Sequence, residues 1–168
     1  MRKKYCARVL PLLCLMAASA SAHTVEPDCF EPDVQAHVRQ LFGIYGPMSI
    51  HHEFFGFVYR DAAGVDSAVV RSRPCKLADC TVAVAVAGQR IPAGARILGE
   101  WHTHPRGGSR ELSTYDVRGA HRNSNNECYL AYFSRPDGAI LEWDPGKTSV
   151  RDAMASLSRI GTFVPYRG

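Results

Sequence analysis

Gly99-Glu-Trp-His-Thr-His-Pro-Arg-Gly-Gly-Ser-Arg-Glu-Leu-Ser-Thr-Tyr-Asp116 is the stretch whose reading decides the fold. Its first half, from Arg96 to His104, has the β-branched and aromatic content of a strand, and Pro105 to Glu111 has the glycine and proline content of a loop. Ser113-x-x-Asp116 is a helix-start signal of the capping-box type, opening a helix to about Asn123. Side chains two apart on a strand share a face. His102 and His104 therefore point one way with Glu100, and Trp101 and Thr103 point the other. Two imidazoles on one face suit a divalent ion of the zinc type. Asp116, brought back by the loop at the start of the next helix, is the candidate third ligand. Two histidines, one carboxylate and an open fourth position form the donor set of a hydrolytic zinc centre.

Working outward, Glu31-Pro32-Asp33 opens a helix to about Phe42, with Val34, Val38, Leu41 and Phe42 on one face and Gly43 as its stop. Glu53 to Arg60 is an aromatic-rich strand, Asp61 to Gly64 a turn, and Ser67 to Ser72 the return strand. Thr81 to Ala87 alternates β-branched and small residues and reads as a strand. Cys128 to Phe133 and Ala139 to Trp143 read as a hairpin about Arg135-Pro-Asp-Gly138. The spacing of Ala153, Met154, Leu157 and Ile160 predicts a final helix over 150–160. The order gives an α+β (α/β-like) domain, a mixed sheet flanked by helices.

The N-terminus carries a targeting signature. Met1-Arg-Lys-Lys4 is a basic leader, Val9 to Ala18 an apolar run too short to span a bilayer, and Ala20-Ser-Ala22 a small-residue cleavage site. The expectation is a signal peptide over 1–22, one domain over 23–168, and a destination in the periplasm or outside the cell. Leu13 stands before Cys14 where a lipidation motif wants a small residue, which argues against a lipoprotein. Taking the leader's four basic residues (Arg2, Lys3, Lys4, Arg8) from the 20 in the chain leaves 16 basic against 16 acidic. No concentrated positive field remains, so nucleic acid is excluded as a partner, and no stable membrane insertion is expected once the leader is removed. Removing 22 of 168 residues leaves 146, enough for one domain with its own core. Cys29, Cys75, Cys80 and Cys128 remain. In an oxidising compartment an even count reads as two disulfides, of which Cys75–Cys80 with Cys29–Cys128 is the favoured pairing among three.

These residues resemble a known family. The run Gly99-Glu-Trp-His-Thr-His-Pro105 followed by Ser113-Thr-Tyr-Asp116 is similar to the JAMM motif of MPN-type zinc metallopeptidases. Glu53-Phe-Phe-Gly56 is similar to that family's upstream element, a Glu three residues before a Gly on an early strand. Eight residues separate His104 from Ser113 where the family pattern has seven, and Glu100 stands where many members carry an apolar or aromatic residue. The resemblance covers most of the mature chain and implies the MPN/JAMM (cytidine-deaminase-like) architecture. It implies Zn2+ bound by His102, His104 and Asp116. It implies Glu53 as the base that handles the water proton and Ser113 as donor to the oxyanion; Glu100, on the face of the histidines, is outside that pattern and stands as a residue supporting the ligands or as the alternative base. The expected activity is hydrolysis of peptide or isopeptide bonds in a peptide, protein or peptidoglycan-peptide substrate. The alternative is a non-catalytic JAMM-like binding, immunity or inhibitor module of the bacterial envelope, which needs no intact ligand set. His51 and His52 beside Glu53, and His121 on the later helix, are read as surface residues.

Overall fold

The computed structural model describes residues 31–72, 74, 84–124 and 128–165. The leader, Cys29, Cys75 and Cys80 lie outside them. Six strands form one mixed sheet in the order β2-β1-β3-β4-β5-β6. They are β1 (Phe54–Asp61), β2 (Gly64–Arg71), β3 (Arg96–Thr103), β4 (Leu130–Ser134), β5 (Ala139–Trp143) and β6 (Ser158–Thr162). Among the described residues only β3 and β4 run parallel, joined by a crossover through α3 (Thr114–Asn123); the other neighbours are antiparallel. The mixed sheet and its few flanking helices agree with an α+β fold. Among the described residues, no helix is long and apolar enough to cross a membrane.

One face of the sheet is covered by α1 (Pro32–Met48). Val34, Val38, Leu41 and Phe42 of that helix pack with Phe54, Val58, Leu98, Trp101, Tyr132 and Ile140. Pro32 sits in its first turn, where the missing N–H costs nothing. The helix does not stop at Gly43 as the sequence suggests but runs to Met48. A mid-helix glycine costs about 1 kcal/mol relative to alanine. The extra turn offsets that cost by placing Tyr45 against Phe54 and Trp101, at ring-centroid distances of 4.9 and 5.5 Å. On the opposite face, α2 (Val84–Gln89) rests Ala87 on Phe55, Phe57 and Val70. There too, α3 packs Val117 and Ala120 on Ala131 and Trp143.

Two elements depart from expectation. The alternation through Thr81 to Ala87 suggests a strand, yet Val84–Gln89 is a short helix, and residues 81–83 lie outside the described set. Four alternating residues fit either geometry; packing selects the turn that buries Ala87 and leaves Val86 exposed. The helix expected over 150–160 is instead one 3-10 turn, Ala153–Ser156, followed by β6. Ala153 packs into the α3-side cluster, whereas Ile160 packs into the α1-side cluster. A single helix cannot serve both faces of a sheet, so the chain rounds the edge and pairs with β5.

Gly56 is required by close approach. A Cβ there would lie 2.5 Å from Trp101 Nε1 and 2.7 Å from Ser67 Oγ. Its absence lets the indole N–H of Trp101 donate to Ser67 Oγ at 2.7 Å. Cys128 enters β4 with a left-handed φ of 75° and is disulfide-bonded.

Candidate metal centre

The centre lies where β3 ends. His102 pairs in register with Phe55 of β1 and with Phe133 of β4, so it stands in the middle of the sheet with a strand on either side. Alternation assigns the faces as expected. Thr103 turns to the α1 side, where its hydroxyl accepts from the Phe54 N–H at 2.9 Å and bonds Ser49 Oγ at 2.5 Å. His102 and His104 turn the other way and are both buried. Their Nε2 atoms lie 3.1 Å apart, and Asp116 Oδ2 is 4.0 Å from each. One donor atom from each of the three lies within 4.8 Å of the others, so His102, His104 and Asp116 together can hold a metal ion. Ligands at the ~2.0–2.1 Å bond lengths of zinc stand about 3.3 Å apart at tetrahedral angles, so only the carboxylate has to close in, by under about 1 Å.

The surroundings orient these donors. His104 Nδ1 lies 2.7 Å from the carbonyl of Ser109, which fixes the proton on Nδ1 and turns the Nε2 lone pair toward the trio. The loop can supply that carbonyl because Gly107 takes a left-handed φ of 79° and the Gly108 N–H closes a turn on Pro105 O at 2.8 Å. Its eight residues reach back without displacing Asp116 from the histidines. His102 stacks on Phe133 at 6.0 Å and 17°.

At the start of α3 the capping box is complete. Ser113 Oγ accepts from the Asp116 N–H at 3.2 Å, and Asp116 Oδ2 accepts from the Ser113 N–H at 2.7 Å. The oxygen that faces the histidines is thus the oxygen held by the cap. Ser113 is exposed, and its side chain also bonds the Asp116 carboxyl, which it helps to keep ionised.

Electrostatics follow from burial. Desolvation is the largest influence on His102 and drives its pKa down, outweighing the attraction of Asp116, so the imidazole is neutral at neutral pH, the form a metal ion requires. Burial pushes the Asp116 carboxyl up, but His102, the Ser113 bonds and His104 together hold it below the ordinary carboxylate range. Glu53 enters β1 half-buried, its N–H donating to Ser72 Oγ at 2.9 Å. Desolvation first, and the charge of Asp116 second, push its carboxyl up to about 8. Glu100 is more deeply buried. Its Oε2 accepts from Tyr129 Oη at 2.6 Å and Asn123 Nδ2 at 2.7 Å, an acceptor bridge between β3 and the far end of α3. Burial raises its pKa against those two hydrogen bonds.

The residues singled out in sequence therefore assemble in part around one point: His102, His104 and Asp116 converge, Ser113 caps the ligand carboxylate, and Glu53 feels its charge. His52 instead lies with Nδ1 3.0 Å from Ser72 O, and His51 is exposed. His121, expected on the surface, is half-buried edge-on to Trp143 at 5.3 Å. Sequence reading missed the Ser109 carbonyl and the Tyr129–Glu100–Asn123 bridge. A backbone oxygen in a loop leaves no residue-type signal, and a bridge across 29 residues has no local spacing. Compared with known families and curated proteins, the chain matches no family model and no curated protein.

Proposed function

We propose that this chain is an exported zinc-dependent hydrolase of peptide or isopeptide bonds, built on the JAMM/MPN pattern that its motif resembles. The observation that carries the reading is the convergence of His102, His104 and Asp116 on one point, with the Glu53 carboxyl within electrostatic reach of the same carboxylate. The donor set of two imidazole nitrogens and one carboxylate oxygen, already deprotonated at neutral pH in the cases of His102 and Asp116, fits zinc. Zinc bound there would supply Lewis acidity, lowering the pKa of a water toward ~7 and polarising the substrate carbonyl.

The chain's own residues do the rest. A cation held by Asp116 would offset the smaller of the two influences that raise the Glu53 carboxyl and would itself favour the ionised form, in which Glu53 takes a proton from the attacking water and returns it to the leaving amine. Ser113 turns its hydroxyl proton from the Asp116 carboxyl to the tetrahedral oxyanion; such a donor is worth about 2.7–4 kcal/mol in other enzymes. Glu100, buried under Tyr129 and Asn123, serves as an anchor between β3 and α3 rather than as the base. Export is supported by the disulfide at Cys128, since such bonds persist in oxidising compartments. The proposed pairing is Cys29–Cys128 with Cys75–Cys80, and the proposed substrates are periplasmic proteins or peptidoglycan peptides.

Metal analysis of the purified chain tests this reading, with about one zinc per chain expected, and none after His102→Ala/His104→Ala. Glu53→Gln is expected to keep the metal and lose hydrolysis of a peptide library by about 10²–10⁴-fold. A folded wild type that takes up no metal from zinc-containing buffer would overturn it.

A further inference from the structure

Two arginines flank the candidate centre, and His104 locates both. The His104 N–H donates to Ser134 O at 3.2 Å, and its Nδ1 lies 2.7 Å from Ser109 O. The residue after Ser134 is Arg135, and the residue after Ser109 is Arg110. Arg135 Nε donates to Arg110 O at 2.9 Å, so the turn after β4 and the loop after β3 are tied together next to a ligand imidazole.

Alternation puts Arg135 on the side of the sheet that carries the three donors. Phe133 lies against His102 and His104 at ring-centroid distances of 6.0 and 5.4 Å. The Arg135 N–H donates to Ala139 O at 2.8 Å, which extends the pairing with β5 one residue past Ser134. Arg135 therefore shares the face of Phe133, about 6.6 Å further along the strand. Its own carbonyl accepts from the Gly138 N–H at 2.9 Å, so its backbone is held in both directions.

The charge at this place is not neutralised by the protein. Among the described residues neither guanidinium makes an ion pair, although Glu111 follows Arg110 directly and Asp137 stands two residues beyond Arg135. The bond to Arg110 O uses one of the five N–H donors of Arg135 and none of those on the Arg110 side chain. Arg110 is exposed and Arg135 half-buried, so solvent and ligands reach both. Two permanent charges on adjoining backbone repel each other, and an anion between them relieves that repulsion. The planar fork of a guanidinium matches the two oxygens of a carboxylate, which is the anionic group that peptides carry.

We propose that Arg110 and Arg135 form the specificity clamp of the hydrolase: together they hold a substrate carboxylate that belongs to a residue within about two of the bond cut at the metal centre. The substrates are then anionic peptides, with the carboxylate supplied by an acidic side chain or by a free chain end. The proposal rests on the metal reading above.

Three isosteric probes separate the two ideas. Malonohydroxamoyl-glutaminamide carries a zinc-binding hydroxamate and no carboxylate. Its glutamine counterpart has a chain-end carboxylate, and its isoglutamine counterpart a side-chain carboxylate. Calorimetric titration into the zinc-loaded chain is expected to show all three binding, with at least one charged probe about tenfold or more tighter than the neutral one. The tighter probe names the source of the carboxylate. Arg110→Gln/Arg135→Gln is expected to erase the advantage while leaving zinc content and glutaminamide affinity unchanged. Arg110→Gln alone alters an exposed side chain, so it is expected to fold and to lose part of the advantage. Arg106→Gln, on the same loop, is expected to keep it. Equal affinity of the three probes for wild type, an advantage that survives the double variant, or one lost equally in Arg106→Gln, would overturn the clamp and leave the metal reading standing. Absence of zinc, or of binding by every probe, would overturn both.

Discussion

The two faces of β3 make the most instructive comparison in this molecule. Toward α1, Trp101 and Thr103 are wholly buried, and every polar atom of theirs described above has a protein partner: the indole N–H on Ser67, the hydroxyl on Phe54 and Ser49. Toward α3, His102 and His104 are almost as deeply buried, yet their Nε2 atoms face each other and a carboxylate oxygen. One face closes its hydrogen-bond account internally. The other aims three donor atoms at a shared point, an arrangement that burial makes costly and that a cation makes favourable. The same strand thus separates a packed face from a candidate metal site by alternation alone.

That division can be broken from either side. Trp101→Ala on the packed face is expected to cost about 3–5 kcal/mol in a urea titration while the folded protein still takes up zinc at unchanged stoichiometry. Loss of zinc in that variant would mean the faces are not independent. On the chemical face the effect runs through ligand linkage. Zinc at a thousand times its dissociation constant should stabilise wild type by about 4 kcal/mol, and this gain should vanish in His102→Ala. An equal zinc-induced shift in that variant's melting curve would locate the ion elsewhere.

The comparison sharpens with pH. The Glu53 carboxyl, raised from 4.5 to about 8, keeps its proton in the folded metal-free protein where the unfolded chain has released it. The folded state then binds more protons than the unfolded, so this group's contribution is full below about pH 4.5 and is lost as pH rises to about 8. Metal-free Glu53→Gln should match wild type near the acid end of that window and exceed it in urea midpoint near the upper end. A difference that does not vary with pH would show that the carboxyl is not desolvated beside Asp116. The smallest effect is expected at the helix start, where Ser113→Ala should cost about 1 kcal/mol of stability through the lost cap and weaken zinc binding in step.

How much of this was legible in the sequence follows the same division. His102, Thr103 and His104 were readable because a strand's period of two is rigid, and Ser113 to Asp116 because a capping box has fixed spacing. Val84–Gln89 and the segment from Ala153 to Thr162 were not. Val84 to Ala87 fits two periods over so short a run, and Ala153 and Ile160 share a helical spacing but belong to opposite faces of the sheet. The Glu100 bridge to Tyr129 and Asn123 was invisible for a related reason, since its members meet only after the α3 crossover brings β4 beside β3. What distance in sequence hides is where helices sit on the sheet, not which donor atoms of the candidate site share a face.

The cap that begins α3 has one more consequence. Asp116 Oδ2 is already seated by the Ser113 amide and His104 by the Ser109 carbonyl, so the donors are organised by the polypeptide itself. An ion arriving at such a place orders little and a chelator removing it melts little. Loading and stripping become reversible operations on a finished molecule.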